Sequence, residues 1–146
     1  MTGLEFLRAI AAGELPGAPI AELLGFEPAE AEEGRVVFAA TPDARHYNPI
    51  GTVHGGLAAT LLDSAMGCAV HSTLPAGVGY ATLELKVNFT RPITTDTGRI
   101  LCEGKLVHRG GRVATAEGRV FAEATGKLLA HGTTTCLILS PNGHGA

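Results

Sequence analysis

The sequence predicts an α+β fold in which an antiparallel sheet wraps around one long central helix. Three observations predict it. Residues 48–74, NPIGTVHGGLAATLLDSAMGCAVHSTL, open with turn chemistry at Asn48-Pro49 and Gly51, and Pro75 closes them, leaving about five turns of helix between. On that helix Leu57, Ala58, Leu61, Leu62, Ala65, Met66 and Ala69 form a broad apolar arc at 3.6-residue spacing. Its other side carries Gly56, Ala59, Asp63, Gly67 and Val70, with no Lys, Arg or Glu along it. Lastly, two strand patterns precede the helix and four follow it, mostly joined by short turns, so neighbouring strands run antiparallel.

Taken in order, the chain begins with an arm, residues 1–24. Leu4, Leu7 and Ala11 recur at helical spacing until Gly13; a Pro/Gly-rich link over residues 15–19 leads into a short segment over 20–24. Such an arm either simply packs, or lies across a sheet and caps a pocket. The main domain, residues 25–139, opens with strands over 25–33 and 35–42 that turn at Gly34. After the helix, residues 79–90 alternate, with Leu83, Leu85, Val87 and Phe89 on one side and Thr82, Glu84, Lys86 and Asn88 on the other. Strands over 98–108, 112–124 and 127–139 follow, turning at Arg109-Gly110-Gly111 and Thr125-Gly126, with Gly104 and Gly118 as candidate bulges. Residues 140–146, rich in Pro and Gly, read as a flexible tail.

Composition bounds the function. At 146 residues the chain is long enough for one domain with its own core. A net charge of −3 argues against a surface that grips phosphates of nucleic acid. Cys68, Cys102 and Cys136 form no CxxC pair and read as reduced thiols of a cytoplasmic protein. Glu5 and Arg8 interrupt the apolar N-terminal stretch, so no cleavable signal is expected, and no apolar run is long enough to span a membrane. The spacing of His and Cys suggests no metal site.

The chemistry gathers at the start of the helix. Gly55 and Gly56 fall in its first turn, where backbone N–H groups lack intrahelical partners and meet the positive end of the dipole. Glycine lets a substrate oxygen approach closely, the geometry that polarises a carbonyl under attack. Asp63 is the helix's one acidic residue and lies eight residues on, about 12 Å along the axis. A carboxylate there cannot act on a carbonyl held by its own helix N-terminus. It can serve the equivalent site of a partner whose helix runs antiparallel alongside, and the small-residue face of the helix makes a second subunit its natural neighbour.

Asn48-Pro-Ile-Gly-Thr-Val-His54-Gly55-Gly56, with Leu62-Asp63-Ser64-Ala65 at a fixed offset, resembles the hot-dog-fold acyl-CoA thioesterases of the PaaI-like (phenylacetate-pathway) and 4-hydroxybenzoyl-CoA thioesterase group. Asn88-Phe-Thr-Arg91-Pro92 and the turn from His108 to Arg112 extend the likeness, which covers residues 25–139. The resemblance implies hydrolysis of an acyl-CoA, aromatic or medium-chain, without metal or cofactor. It implies that Gly55 polarises the thioester carbonyl and that Asp63 of the other subunit is general base or nucleophile. Asn48 would help place the carbonyl or the water, His54 would support the glycine turn and contact the thioester, and Thr82 would help position water. Arg109, Gly110, Gly111 and Arg112 would lie along coenzyme A. Relatives form homodimers that pair into homotetramers. Two other functions remain to be weighed: a non-catalytic acyl-CoA-binding module, and an enoyl-CoA hydratase of the same fold.

Overall fold

The computed structural model describes residues 1–140. Helices α1 (Gly3–Ala11) and α2 (Pro19–Leu24) precede strands β1 (Phe26–Glu32) and β2 (Arg35–Ala40). Then come the central helix α3 (Gly55–His71) and strands β3 (Gly79–Phe89), β4 (Ile100–Arg109), β5 (Val113–Ala122) and β6 (Leu128–Leu139). The strands make one antiparallel sheet in the order β1-β2-β4-β5-β6-β3. This is the hot-dog arrangement. Only the last three strands in sequence form a continuous meander; β3 crosses the molecule to pair with β6, so it is an edge and not a neighbour of β4.

Local chemistry sets the boundaries of the arm. Thr2 and Glu5 form a capping box at the start of α1, with Glu5 Oε2 accepting from the Thr2 N–H at 2.7 Å. Pro19 starts α2, and Gly25, at φ 80°, ends it in the left-handed region. The tail expected over 140–146 lies outside the described residues except for Ser140.

The apolar arc of α3 is the core. Leu57, Ala58, Leu61, Leu62, Ala65, Met66 and Ala69 are each at most 4 % exposed. The helix packs against β2, β3, β4, β5 and β6. Gly104, Gly118 and Gly132 pair in register across β4, β5 and β6 and form the seat on which it rests. A Cβ at Gly104 would run into the Ala65 carbonyl, and one at Gly118 would lie 3.0 Å from Leu62 Cδ2 and Met66 Cγ. Gly104 and Gly118 therefore mark close helix approach and not the bulges expected.

Part of the small-residue face of α3 meets this chain's own β3, while Gly56 stays exposed. Tyr80 lies against Gly67, Thr82 reaches Asp63, and Phe89 covers Gly55. Simple alternation sets Thr82 opposite Leu85, Val87 and Phe89, and the structure corrects it. The β3–β6 register shifts between Thr82 and Glu84, leaving Leu83 as an extra residue. Thr82 then pairs with Cys136 and Leu85 with the buried Thr134, so both point to the helix side.

Candidate active site

The helix start is built by the loop before it. His54 is the N-cap of α3; its backbone N–H donates to His46 O at 2.7 Å, and its Nδ1 accepts from the Gly56 N–H at 2.8 Å. His46 is in turn fixed by the Asp43 N–H on its Nδ1 and by Leu24 O beside its Nε2, 2.7 Å away. The side-chain cap satisfies Gly56 and leaves the Gly55 N–H, first in the helix, with no intrahelical acceptor. Gly55 lines a cavity of 310 Å³ together with Thr52, His54, Phe89, Arg91 and Ile93. A Cβ on Gly55 would stand 3.0 Å from Phe89 Cζ, so the approach to this N–H is narrow and bounded by an aromatic ring.

Asn48 shapes the preceding loop. Its Oδ1 accepts from the N–H groups of Ile50 and Thr52 at 3.0 and 3.2 Å, and its Nδ2 donates to Thr52 Oγ1 at 2.9 Å. One Nδ2 hydrogen remains for another acceptor. Asp63, half-buried on α3, accepts a hydrogen bond from Thr82 Oγ1 at 2.8 Å through Oδ1. One carboxylate oxygen is thus oriented and the other remains available.

The predicted residues fall into two groups. Asn48, His54 and Gly55 gather at the helix N-terminus; Asp63 and Thr82 gather two turns on. The turn holding Arg109, Gly110, Gly111 and Arg112 joins β4 to β5, with the Gly110 N–H donating to Val113 O at 2.9 Å. Val113 pairs with Leu137, which pairs with Ala81, so the turn sits at the Thr82 end of β3, remote from Phe89 and Gly55. Phe89, which the sequence reading left without a role, lines the Gly55 cavity with Arg91, a pocket-lining candidate that spacing alone did not select; Tyr80 and Cys68 line a second cavity further along α3. Phe89 and Arg91 lay within the Asn88 to Pro92 string, which is the signal that could have found them. Burial pushes the Cys68 thiol up to about 12, so it is no nucleophile at neutral pH. Among the described residues no group of three His, Cys, Asp or Glu side chains is placed to hold a metal ion.

Fold and site together define a hot-dog protein whose central helix starts with an N–H that has no intrahelical acceptor and carries, two turns on, a carboxylate held by Thr82. Residues 50–129 match the thioesterase superfamily, and the chain belongs to that family of thioester hydrolases. It is 30 % identical over 105 residues to acyl-coenzyme A thioesterase 13 of Homo sapiens, covering 72 % of this chain and 74 % of that protein. A protein of Halobacterium salinarum named as an esterase is 42 % identical over 76 residues, 51 % of this chain, and the match spans 48 % of that relative's length. Among solved structures, a phenylacetic acid degradation-related protein of Ralstonia eutropha JMP134 superposes with a TM-score of 0.81 at 28 % identity, over 90 % of this chain and 98 % of the other. No helix among the described residues is long and apolar enough to cross a membrane.

Proposed function

We propose that the protein hydrolyses an acyl-CoA thioester to the free acid and CoA, in sites shared between two subunits. One observation carries the reading. The free N–H of Gly55 and the carboxylate of Asp63 sit about 12 Å apart on one helix, both beside an unpaired edge strand, β3. That edge exposes Leu83 (58 %), Leu85 (37 %) and Phe89 (58 %), an apolar surface suited to a second copy of the chain. Antiparallel pairing there would set the Gly55 of one subunit opposite the Asp63 of the other.

In such a site the Gly55 N–H, with the helix dipole behind it, holds the thioester carbonyl and stabilises its oxygen as negative charge develops. Asp63, aimed by Thr82, takes a proton from water through its free oxygen as the water adds to the carbonyl carbon; the C–S bond then breaks and that proton passes from Asp63 to the departing CoA thiolate. The hydrogen bond from Thr82 fixes the orientation of the carboxylate and leaves its second oxygen for the water. Asn48 holds the loop under the carbonyl site, and His54 keeps Gly56 out of competition for the oxygen. The turn from Arg109 to Arg112 belongs with its own Asp63, and so with the CoA arm bound against the partner's helix start. The acyl-CoA class is supported by the acyl-coenzyme A thioesterase relative, and an aromatic acyl group by the phenylacetic acid degradation-related structure. Cytoplasmic location and pairing of dimers into a homotetramer belong to the same reading; the three unpaired cysteines are consistent with the first.

Subunit mixing tests it. Asp63→Ala and Gly55→Val chains, each inactive alone, should recover activity when unfolded and refolded together. Random pairing leaves about a quarter of sites intact. No recovery from a correctly assembled mixture would rule out the shared site.

A further inference from the structure

A second cavity, 700 Å³, lies beneath the N-terminal arm and is more than twice the size of the one at Gly55. Its dimensions are those of a small-molecule site. Ser64, Cys68 and His71 of α3 line it at helical spacing, a stripe about 10 Å long. The stripe begins at the residue after Asp63. On the facing strand, Tyr80 lines the cavity from the same side of β3 as Thr82, which holds Asp63. The space therefore starts beside the carboxylate and runs away from it along the helix.

The arm spans this space without filling it. The Gly3 N–H donates to Leu74 O at 3.0 Å, and Gly3 packs so tightly on the His71 carbonyl that no side chain fits there. Arg8 Nε donates to Ala31 O at 3.2 Å. Held at α3 and β1, α1 suspends Phe6, Leu7 and Ile10 over the cavity. Phe6, His71 and Tyr80 form an aromatic series, with ring centroids 5.8 and 5.6 Å apart. Burial lowers the His71 pKa and raises that of Tyr80, so both are neutral at pH 7 and the wall along the helix carries no charge.

We infer that this cavity is the acyl subsite and that the N-terminal arm, through Phe6 and Ile10, sets the size of acyl group accepted. The inference rests on the thioesterase reading above. A carbonyl held by a partner's Gly55 and attacked beside this chain's Asp63 directs its acyl group past Ser64 into the space under the arm. Apolar acyl groups, aromatic ones above all, fit its lining; the His71 ring can accommodate one polar substituent at the far end.

The test is CoA release from acetyl-, hexanoyl- and phenylacetyl-CoA by the wild-type protein and by Ile10→Phe, which fills the cavity from the half-exposed arm. The phenylacetyl to acetyl ratio of kcat/KM should fall about tenfold or more. A ratio unchanged to within about twofold overturns the inference, since general damage would lower both rates together. A parallel readout needs no turnover. The chain has no Trp, so Phe6→Trp installs a sole reporter at the cavity. Phenylacetate should shift its emission saturably, and Ile10→Phe in the same chain should abolish the shift. If the wild type releases no CoA from any substrate, the thioesterase reading fails, while this emission shift still reports on the cavity by itself. No shift overturns the subsite.

Discussion

At the scale of single residues, the helix start shows how much one hydrogen atom can matter. His54 caps Gly56, Gly55 keeps a free N–H, and Phe89 closes over it, leaving no room for even a methyl group at ordinary contact distance. Gly55→Ala should therefore lower kcat about tenfold or more with little change in KM, because the displaced ring and the added methyl disturb a contact made as the oxyanion forms. Steady-state kinetics with an acyl-CoA check this; an unchanged kcat would remove the N–H from the mechanism. The His54-Gly55-Gly56 string and the offset to Asp63 were legible because helix geometry converts spacing into distance. Phe89 was not, since its contact with Gly55 joins residues that only the tertiary fold brings together. Thr82 was legible by position but not by orientation. A bulge at Leu83 turns it toward Asp63, and nothing in an alternating pattern announces a bulge.

At the scale of elements, strand and helix boundaries followed closely from turn residues and periodicity, and the pairing of β3 did not. A strand ending near the start of another reads as a hairpin partner; here residues 90–99 carry the chain across the molecule and β6 returns to β3. Gly104 of β4 and Gly118 of β5 were visible as letters, but their meaning depends on α3 lying across them. The outer face of the sheet carries a charge cluster. Glu103, 12 % exposed at its side chain, accepts from Arg35 Nε at 2.7 Å and lies 3.7 Å from both Lys105 and Arg119. Burial pushes its carboxyl up, but the Arg35 hydrogen bond and the three positive charges outweigh burial and hold the pKa below the ordinary 4.5. A carboxyl lowered in the folded state stabilises the fold above its unfolded pKa, and that contribution is lost as pH falls through the folded value. Glu103→Gln should cost about 1–2 kcal/mol at pH 7, and its urea unfolding midpoint should converge with that of the wild type well below pH 4.5. A gap independent of pH would assign the loss to packing instead.

At the scale of the whole molecule, each chain carries half of each of two sites in the proposed reading. If Gly55 and Asp63 act on one thioester, the helix that separates them by about 12 Å calls for a partner chain, and that was legible from spacing alone. Part of the small-residue face of α3 is packed by β3, at Gly67 and Asp63, while Gly56 stays exposed; the edge of β3 adds an apolar surface that the sequence reading did not single out. Replacing Leu83 and Leu85 with Lys should give a folded monomer by light scattering, with thioesterase activity lost. An active monomer would contradict sites shared between subunits.

The central claim is that this protein cleaves acyl-CoA with the Asp63 carboxylate. The most direct measurement is thiol release from phenylacetyl-CoA and a straight-chain acyl-CoA, with wild type beside Asp63→Ala and free CoA trapped by a chromogenic disulfide. The account predicts release by the wild type and a fall of about a hundredfold or more in the variant at an unchanged oligomeric state. Release that survives the substitution intact would contradict it.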